Sequence, residues 1–401
     1  MGDQQLCDDV LIEILLRVPV ESVFRFKSVS KTWNHMLSHP SFINKYQTRL
    51  RKSSSSSPSP FPLLGFFQGS VCRRRNLPDQ AIPRLSFLPT CKQGMPLKSR
   101  DFMDKLGFYV GSSNGLILCG RHPNSYYVCN PVTNQWFSLP GPNKELDVDS
   151  VVIGFSYQEF FDVNDGSIRR NYKVVRVHIR ENHRIKYNTL PIETYSSDTG
   201  VWKESMLTGA APFLLVPRWP CTVVRGIFYW QACKDIVAAY DPNTVEDQLW
   251  LIKLPRTTGH RFLVLGESPD GLLQCGMDDY PGFKIFVLNK KLHCYNYSSI
   301  ISEWTAINIV YHSTPEIMYS REESAIEQYP NLIAFHPQNI NIVYLRMGAN
   351  IYWYDLQSGR IELIPYDGVT FPCCLYKLFP YFQPDWPPSP LPKRKFSVLA
   401  Y

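Results

Sequence analysis

The 401-residue chain lacks what a membrane span, a metal module or a nucleotide site would need. No apolar run approaches the roughly 18 residues of a membrane helix. Its eleven cysteines contain no Cys-x-x-Cys pair, the close spacing that zinc modules use, and an odd count does not suit a disulfide framework. Neither a Gly-x-x-x-x-Gly-Lys loop nor a Gly-x-Gly-x-x-Gly turn is present to cradle phosphate. The first residues carry acids in place of a cationic start and an apolar signal region. Gly2 invites myristoylation, but position 6 is Leu6 where that motif wants Ser or Thr. Charge is also thin. Charged residues make up 19%, and the net charge of +7 has only small clusters at Arg73, Arg74, Arg75 and at Lys393, Arg394, Lys395. A nucleic-acid reader lines up its cations against a row of phosphates, which this spread does not do. The expectation is a cytoplasmic or nuclear protein with free thiols, no metal and no cofactor, and with neither nucleic acid nor membrane as partner.

What is abundant is proline and aromatics: 32 Pro, 23 Tyr, 23 Phe and 9 Trp. Aromatic and β-branched side chains fit a pleated surface and proline punctuates it, so this composition predicts a mostly β body with tight turns. The N-terminus reads differently. From Asp8, apolar residues at Val10, Leu11, Ile14, Leu15 and Val18 have the spacing of one helix face. Pro19 ends that helix and suits the first turn of the next, which carries Val23, Phe24 and Phe26 to Val29. Ser30 caps a third helix with Trp33, Met36 and Leu37, and Phe42, Ile43 and Tyr46 suggest a fourth after His39-Pro40. So few short turns cannot enclose so many large side chains. The tract SSSSSPSP then reads as a spacer, giving expected boundaries of 1–50 for the head, 51–60 for the linker and 61–401 for the body.

The run LCDDVLIEILLRVPVESVFRFKSVSKTW followed by SHPSFINKY resembles the F-box of plant F-box proteins. The match covers about residues 5 to 48, with Cys7 standing where the family usually has Pro. The resemblance implies that the head binds an Skp-type adaptor, and through it a cullin scaffold. It also implies that Leu6, Val10, Ile14, Leu15, Pro19, Val20, Val29 and Trp33 make either the adaptor contact or the core beneath it. The sequence does not sort one role from the other.

The body repeats a strand, a turn rich in Asp, Asn, Ser, Thr, Pro and Gly, and a second strand. Its instances are YVCNPVTNQWFSLP, ETYSSDTGVWKES, AAYDPNTVEDQLWLIKLP, HCYNYSSIISEWTAI and YWYDLQSGRIELIP. The second strands start at Trp136, Trp202, Trp250, Trp304 and Ile361, spacings of 66, 48, 54 and 57 residues that suit one four-stranded blade each. Ahead of them stand NGLILCG, YKVVRVHI, RGIFYWQA, GLLQCGM and NIVYLRM. Units that cannot bury their own faces can do so when stacked around an axis. The Gly-Gly pair of kelch blades and the Trp-Asp mark of WD40 blades are missing. The units look more like the F-box-associated interaction domain of plant F-box proteins, through Gly111 to Ile117 and the Asn130 to Thr133 turn. The expected fold class is therefore α+β multidomain: a small helical F-box followed by a propeller-like domain of about six irregular blades. The sixth blade would combine FPLLGFFQGS and RLSFLP with chain after residue 370; the rival is an open or two-sheet β sandwich.

Candidate chemistry is sparse. Gly111-Ser112-Ser113-Asn114-Gly115 fits the pattern of a hydrolase nucleophile elbow, but that elbow needs a helix after it and LILCG reads as a strand. His35 and His39 have a metal-compatible spacing without a third ligand nearby, and adjacent Cys373 and Cys374 read as structural thiols. Asp241, Asp278, Asp279 and Asp355 are expected in turns, capping backbone donors. Recognition is expected on loops, the candidates being 92–105, 181–191, 213–220 and 311–330. The reading is a substrate-receptor subunit of a ubiquitin ligase with an unknown protein substrate and no catalytic residue of its own. The alternatives are a propeller-fold hydrolase or sugar-binding enzyme capped by helices, and an F-box protein acting outside ubiquitin ligation.

Overall fold

The computed structural model describes residues 8–18, 20–39, 41–43, 45–46, 49, 63–70, 86–89, 107–121, 124–131, 135–144, 150–161, 168–179, 185–216, 221–232, 235–257, 263–279, 282–297, 300–311, 330–348, 350–365 and 376–382. It divides into two compact units: Met1–Pro62 with Glu159–Arg170 and Gln383–Pro388, and the remainder.

In the first unit, α1 spans Asp8–Leu15, α2 Val20–Phe26 and α3 Lys31–Ser38, with helical residues again at 41–43 and 45–46. Ser30 caps α3 as its residue type predicts, its hydroxyl accepting from the Trp33 amide at 3.1 Å. The core is small: Leu15, Leu16, Val23, Leu37, Phe42 and Tyr46, with Leu11, Ile12, Phe26, Trp33 and Met36 packed against it. Tyr46 keeps its hydroxyl satisfied by donating to the Val18 carbonyl at 2.8 Å.

In the second unit, β1 (Leu63–Ser70) pairs antiparallel with β2 (Ser86–Pro89). Then β3 (Phe108–Ser113), β4 (Leu116–Arg121), β5 (Ser125–Asn130) and β6 (Gln135–Ser138) form an antiparallel sheet in chain order. The next four strands are longer: β7 (Val151–Phe161) and β8 (Ile168–His178), of which residues 159–161 and 168–170 belong to the first unit, then β9 (Tyr187–Ser196) and β10 (Trp202–Phe213). They are followed by β11 (Thr222–Val224), β12 (Ile227–Gln231), β13 (Ile236–Tyr240) and β14 (Gln248–Lys253). A further sheet holds β15 (Leu263–Glu267), β16 (Leu273–Asp279), β17 (Gly282–Leu288) and, after the two-residue β18 (Ile300–Ile301), β19 (Trp304–Tyr311). The last full sheet has β20 (Asn331–Phe335), β21 (Ile342–Met347), β22 (Asn350–Asp355) and β23 (Ile361–Leu363). Finally β24 (Tyr376–Phe382) returns to pair with β1, giving the order β2-β1-β24.

These are the blades of a closed ring. The evidence lies in alternation, because successive residues of a strand point to opposite faces of its sheet. Phe66 of β1 packs with Tyr344 and Trp353, whereas Phe67 packs with Ile117, Cys129 and Tyr381. Val174 of β8 joins Leu118 and Val128, while Val175 joins Phe228 and Leu251. Trp250 lies with Cys275 and Phe286, and Phe283 with Val343 and Leu345. Each blade thus buries both faces against its two neighbours, six apolar seams in all. Burying one large apolar side chain in such a seam contributes about 1.5–3 kcal/mol.

The sixth blade is closed as its sequence suggests, by β1 and β2 from one end of the body and β24 from the other. The ring has one irregularity that the repeat pattern does not foretell. β10 pairs in parallel with β14 at Thr208 and Gly209, and β18 pairs in parallel with β14 at Leu251 and Ile252, so two blades merge into one nine-stranded sheet. One repeat also departs from its pattern. HCYNY is not a strand: Leu292–Cys294 forms a 3-10 turn, and the strand preceding it is β17.

Candidate interaction surfaces

The head sorts the residues that its motif leaves unsorted. Leu15 is only 2% exposed and belongs to the core, and Trp33 packs against that core with its ring edge-on to Phe26 at 5.6 Å. Val10 and Ile14 are each 47% exposed and Val29 is 62% exposed. The single apolar face expected of α1 is therefore two stripes: Leu11 and Leu15 point inward, while Val10 and Ile14, four residues apart, look outward. Val20 begins α2; Leu6, Cys7 and Pro19 lie outside the described residues. An exposed β-branched pair one helical turn apart is the kind of feature a partner covers.

The polar candidates resolve into structural roles. Ser113 ends β3, and Asn114 and Gly115 form the turn to β4 at φ +44° and φ +80°, the left-handed pair that a two-residue hairpin turn requires. The Ser113 hydroxyl accepts from the Tyr157 amide at 2.9 Å and donates to the Tyr157 carbonyl at 3.2 Å. Asp241 accepts from the Asn243 amide at 2.8 Å and Asp355 from the Gln357 amide at 2.9 Å, the capping expected of turn carboxylates. Asp278 and Asp279 differ from expectation. They end strand β16, largely buried, and Asp279 pairs with Lys284 across the hairpin at 2.6 Å. His39 bonds the Ser41 hydroxyl at 2.7 Å, and among the described residues no group of three or more His, Cys, Asp or Glu is placed to hold a metal. Cys373 and Cys374 lie outside the described residues.

Of the candidate recognition loops, 92–105 and 312–329 lie outside the described residues. The other two are partly regular: β9 already begins at Tyr187, and Leu215 is buried in an isolated bridge to Ala232.

One constellation was missed at the level of sequence. Arg176 and Glu193, both fully buried, stand opposite each other in the register of β8 and β9, and Arg176 Nη1 donates to Glu193 Oε2 at 2.6 Å. His178 Nε2 lies 2.8 Å from the same oxygen, and the Lys144 amide donates to Glu193 Oε1 at 3.2 Å. The Arg176 guanidinium also lies over the rings of Tyr126 at 5.7 Å and Trp202 at 5.8 Å. Burial works to raise the Glu193 pKa, but the His178 hydrogen bond and the Arg176 charge together outweigh it and hold the carboxyl below its ordinary value. Arg176 Nε and Asn124 Nδ2 are buried without a hydrogen-bond partner among the described residues. The signal was there to be read: YKVVRVHI puts Val175, Val177 and Ile179 on one face and Arg176 and His178, with Tyr172 and Val174, on the other, and a charged residue on a strand buried on both faces demands a buried counterpart.

A helical head with outward apolar residues, followed by a ring of β blades, defines a two-module protein of the F-box receptor type. The F-box domain family matches residues 4–45, and the family described as F-box protein At3g26010-like, beta-propeller matches residues 95–353. The chain belongs to this family of F-box proteins with a β-propeller. It is similar to F-box protein At5g03970 of Arabidopsis thaliana, 30% identical over 403 residues, covering 96% of this chain and 89% of that protein. It is also similar to F-box protein At3g26010 of the same plant, 29% identical over 265 residues, 64% of this chain and 57% of that one. A third relative, putative F-box/kelch-repeat protein At1g15680 of Arabidopsis thaliana, is 26% identical over 361 residues, 85% of this chain and 78% of that one. The F-box implies an Skp-type adaptor as partner, and the propeller gives the architecture of a receptor.

Proposed function

We propose that this protein is the substrate-receptor subunit of an SCF-type (Skp-cullin-F-box) ubiquitin ligase, acting in the cytoplasm or nucleus. The head docks on the adaptor, the adaptor joins a cullin, and the propeller holds a target protein. The chain's contribution is proximity: it raises the effective concentration of target lysines near a separately recruited transferring enzyme. The observation that carries this reading is the exposure of Val10, Ile14 and Val29 on a head whose core is already closed by Leu15, Val23 and Leu37. In this reading Val10, Ile14 and Val29 enter the adaptor interface, with Leu15 and Trp33 beneath it. Leu6, Pro19 and Val20 take the role their places in the F-box motif imply, either adaptor contact or the core beneath it.

The test is capture of an Skp-type adaptor and its cullin by the full chain and by an Ile14→Asp variant. Wild-type chain should recover both partners, and the variant should bind the adaptor at least about tenfold more weakly, as desolvated anchors do when a charge replaces them. Equal capture by the two chains, or none by the wild type, sinks the proposal.

A further inference from the structure

The outer strand of a propeller blade ordinarily leaves one edge without a strand partner, since neighbouring blades meet face to face through side chains. β14 is an exception. One of its edges pairs with β13 from Leu249 to Lys253, and the other is filled by two strands from the flanking blades. β10 of the preceding blade pairs with Gln248 and Leu249, and the Thr208 amide donates to the Asp247 carbonyl at 2.9 Å. β18, on the way from β17 to β19, pairs with Leu251 and Ile252. Indole donors add to these ties: Trp250 Nε1 donates to the Tyr295 carbonyl at 3.2 Å, and Trp304 Nε1 to the Lys253 carbonyl at 2.8 Å.

The sequence builds this reach into β10. Its pairing with β9 is regular from Trp202 to Thr208 and then shifts register before Phe213, over the stretch Gly209-Ala210-Ala211-Pro212. A register shift bends a strand, small residues permit close backbone approach, and proline is tolerated where the ladder is interrupted. A Cβ at Gly209 would lie 2.7 Å from the Phe213 ring, so a side chain there would have to displace that ring. Ile301 of β18 is buried with Trp250 and Ile252, which seats the third strand.

The blade of β20 to β23 is held differently. Among the described residues none of its strands pairs outside its own sheet, and its outer strand carries the exposed Ile361 and Leu363. It meets its neighbours through side chains, Val343 and Leu345 on one face and Tyr344 and Trp353 on the other. Parting a seam that a backbone ladder crosses breaks hydrogen bonds as well as apolar contacts, so such a seam opens less often. We propose that β10, β14 and β18 form a strap that makes the three blades from β7 to β19 open as one cooperative body, so that the ring yields first at the β20–β23 blade. The strap does not depend on the receptor reading above.

The test is native-state hydrogen exchange of the full chain over rising denaturant. Amides of β9, β13 and β16 should share one large opening. Those of β21 and β22 should exchange through a separate, easier one, about tenfold faster or more, the scale of one or two net hydrogen bonds. Thr208→Pro removes the amide that serves the β14 side and takes no donor from the β9 ladder, so exchange in β9 should rise about tenfold over that in β13. Gly209→Ala, which crowds the Phe213 ring, should give a smaller split in the same direction. If β21 and β22 share the slowest class in the unaltered chain, the strap is overturned, as it is by a common rate for β9 and β13 in the Thr208→Pro chain. Should that variant fail to fold, Gly209→Ala decides by the same comparison.

Discussion

The head and the body solve the same burial problem in opposite ways. In the body, every blade has two apolar faces and two neighbours, so Phe66 and Phe67, adjacent in sequence, are both buried in different seams. The ring needs nothing from outside to close. In the head, three short helices close one small core and then have apolar residues left over: Val10, Ile14 and Val29 remain in solvent. So small a core cannot absorb every apolar side chain of some forty residues, as area scaling of small domains implies. The difference teaches that exposure of large apolar groups is informative where the fold has no more neighbours to offer. The body exposes some as well, Val245 at a turn tip and Ile361 with Leu363 on β23, an edge strand that has no further strand paired to it among the described residues.

The largest effect should come from breaking the closure that the head lacks. Deleting residues 376–401 removes β24, leaving β1 with β2 as its only partner and stripping Leu378 and Tyr381 from two seams. Tyr381 also donates its hydroxyl to the Gly115 carbonyl at 2.8 Å, tying the last strand to the β3–β4 turn. The expected outcome is loss of a single cooperative melt, followed by circular dichroism, and poor solubility from open strand edges. A deletion chain that melts cooperatively within a few degrees of the intact protein would show that the ring does not need its seal.

The second effect separates core from surface in the head, one helical position apart. Leu15→Asp puts a carboxylate among Val23, Leu37 and Phe42 and should cost several kcal/mol, enough to unfold the head. Ile14→Asp should leave the fold within about 0.5 kcal/mol, as surface changes usually do. Amide protection of α1 to α3 reads the two outcomes: lost in the first variant, kept in the second. Since both should weaken adaptor capture, protection is what tells a broken interface from a broken fold.

This pair also marks how far the sequence can be read. Strand positions in the body were legible because period-2 alternation and a turn before each Trp136, Trp202, Trp250 and Ile361 survive in any context. The closing blade was legible too, since FPLLGFFQGS and RLSFLP precede the first repeat unit and chain remains beyond the last. What was not legible depended on register or on three-dimensional supply. Whether Ile14 or Leu15 turns inward depends on where α2 and α3 sit, not on helical spacing alone. Asp278 and Asp279 read as turn residues, yet Lys284 lets them end a strand with a buried carboxylate paired across the hairpin. The Arg176–Glu193 pair appears only once β8 and β9 are aligned, and the β10–β14 bridge follows from the unusual length of β10, 12 residues, which the repeat pattern does not encode.

The smallest effect probes the one place where a body turn imitates an active site. Ser113→Ala removes the acceptor for the Tyr157 amide, but the Tyr157 carbonyl keeps a donor, Asn114 Nδ2 at 2.8 Å. One part-buried N–H loses its partner, so the loss should be about 1 kcal/mol, measured by denaturant titration. Asn114→Ala alone should cost a similar amount by removing the other donor to that carbonyl and the residue suited to φ +44°. The double variant should lose more than the sum, because only then does the Tyr157 carbonyl lose both side-chain donors, Ser113 and Asn114. A Ser113→Ala chain that keeps its stability but loses an ester- or amide-cleaving activity would instead restore the hydrolase reading, since a structural hydroxyl has no way to produce that split.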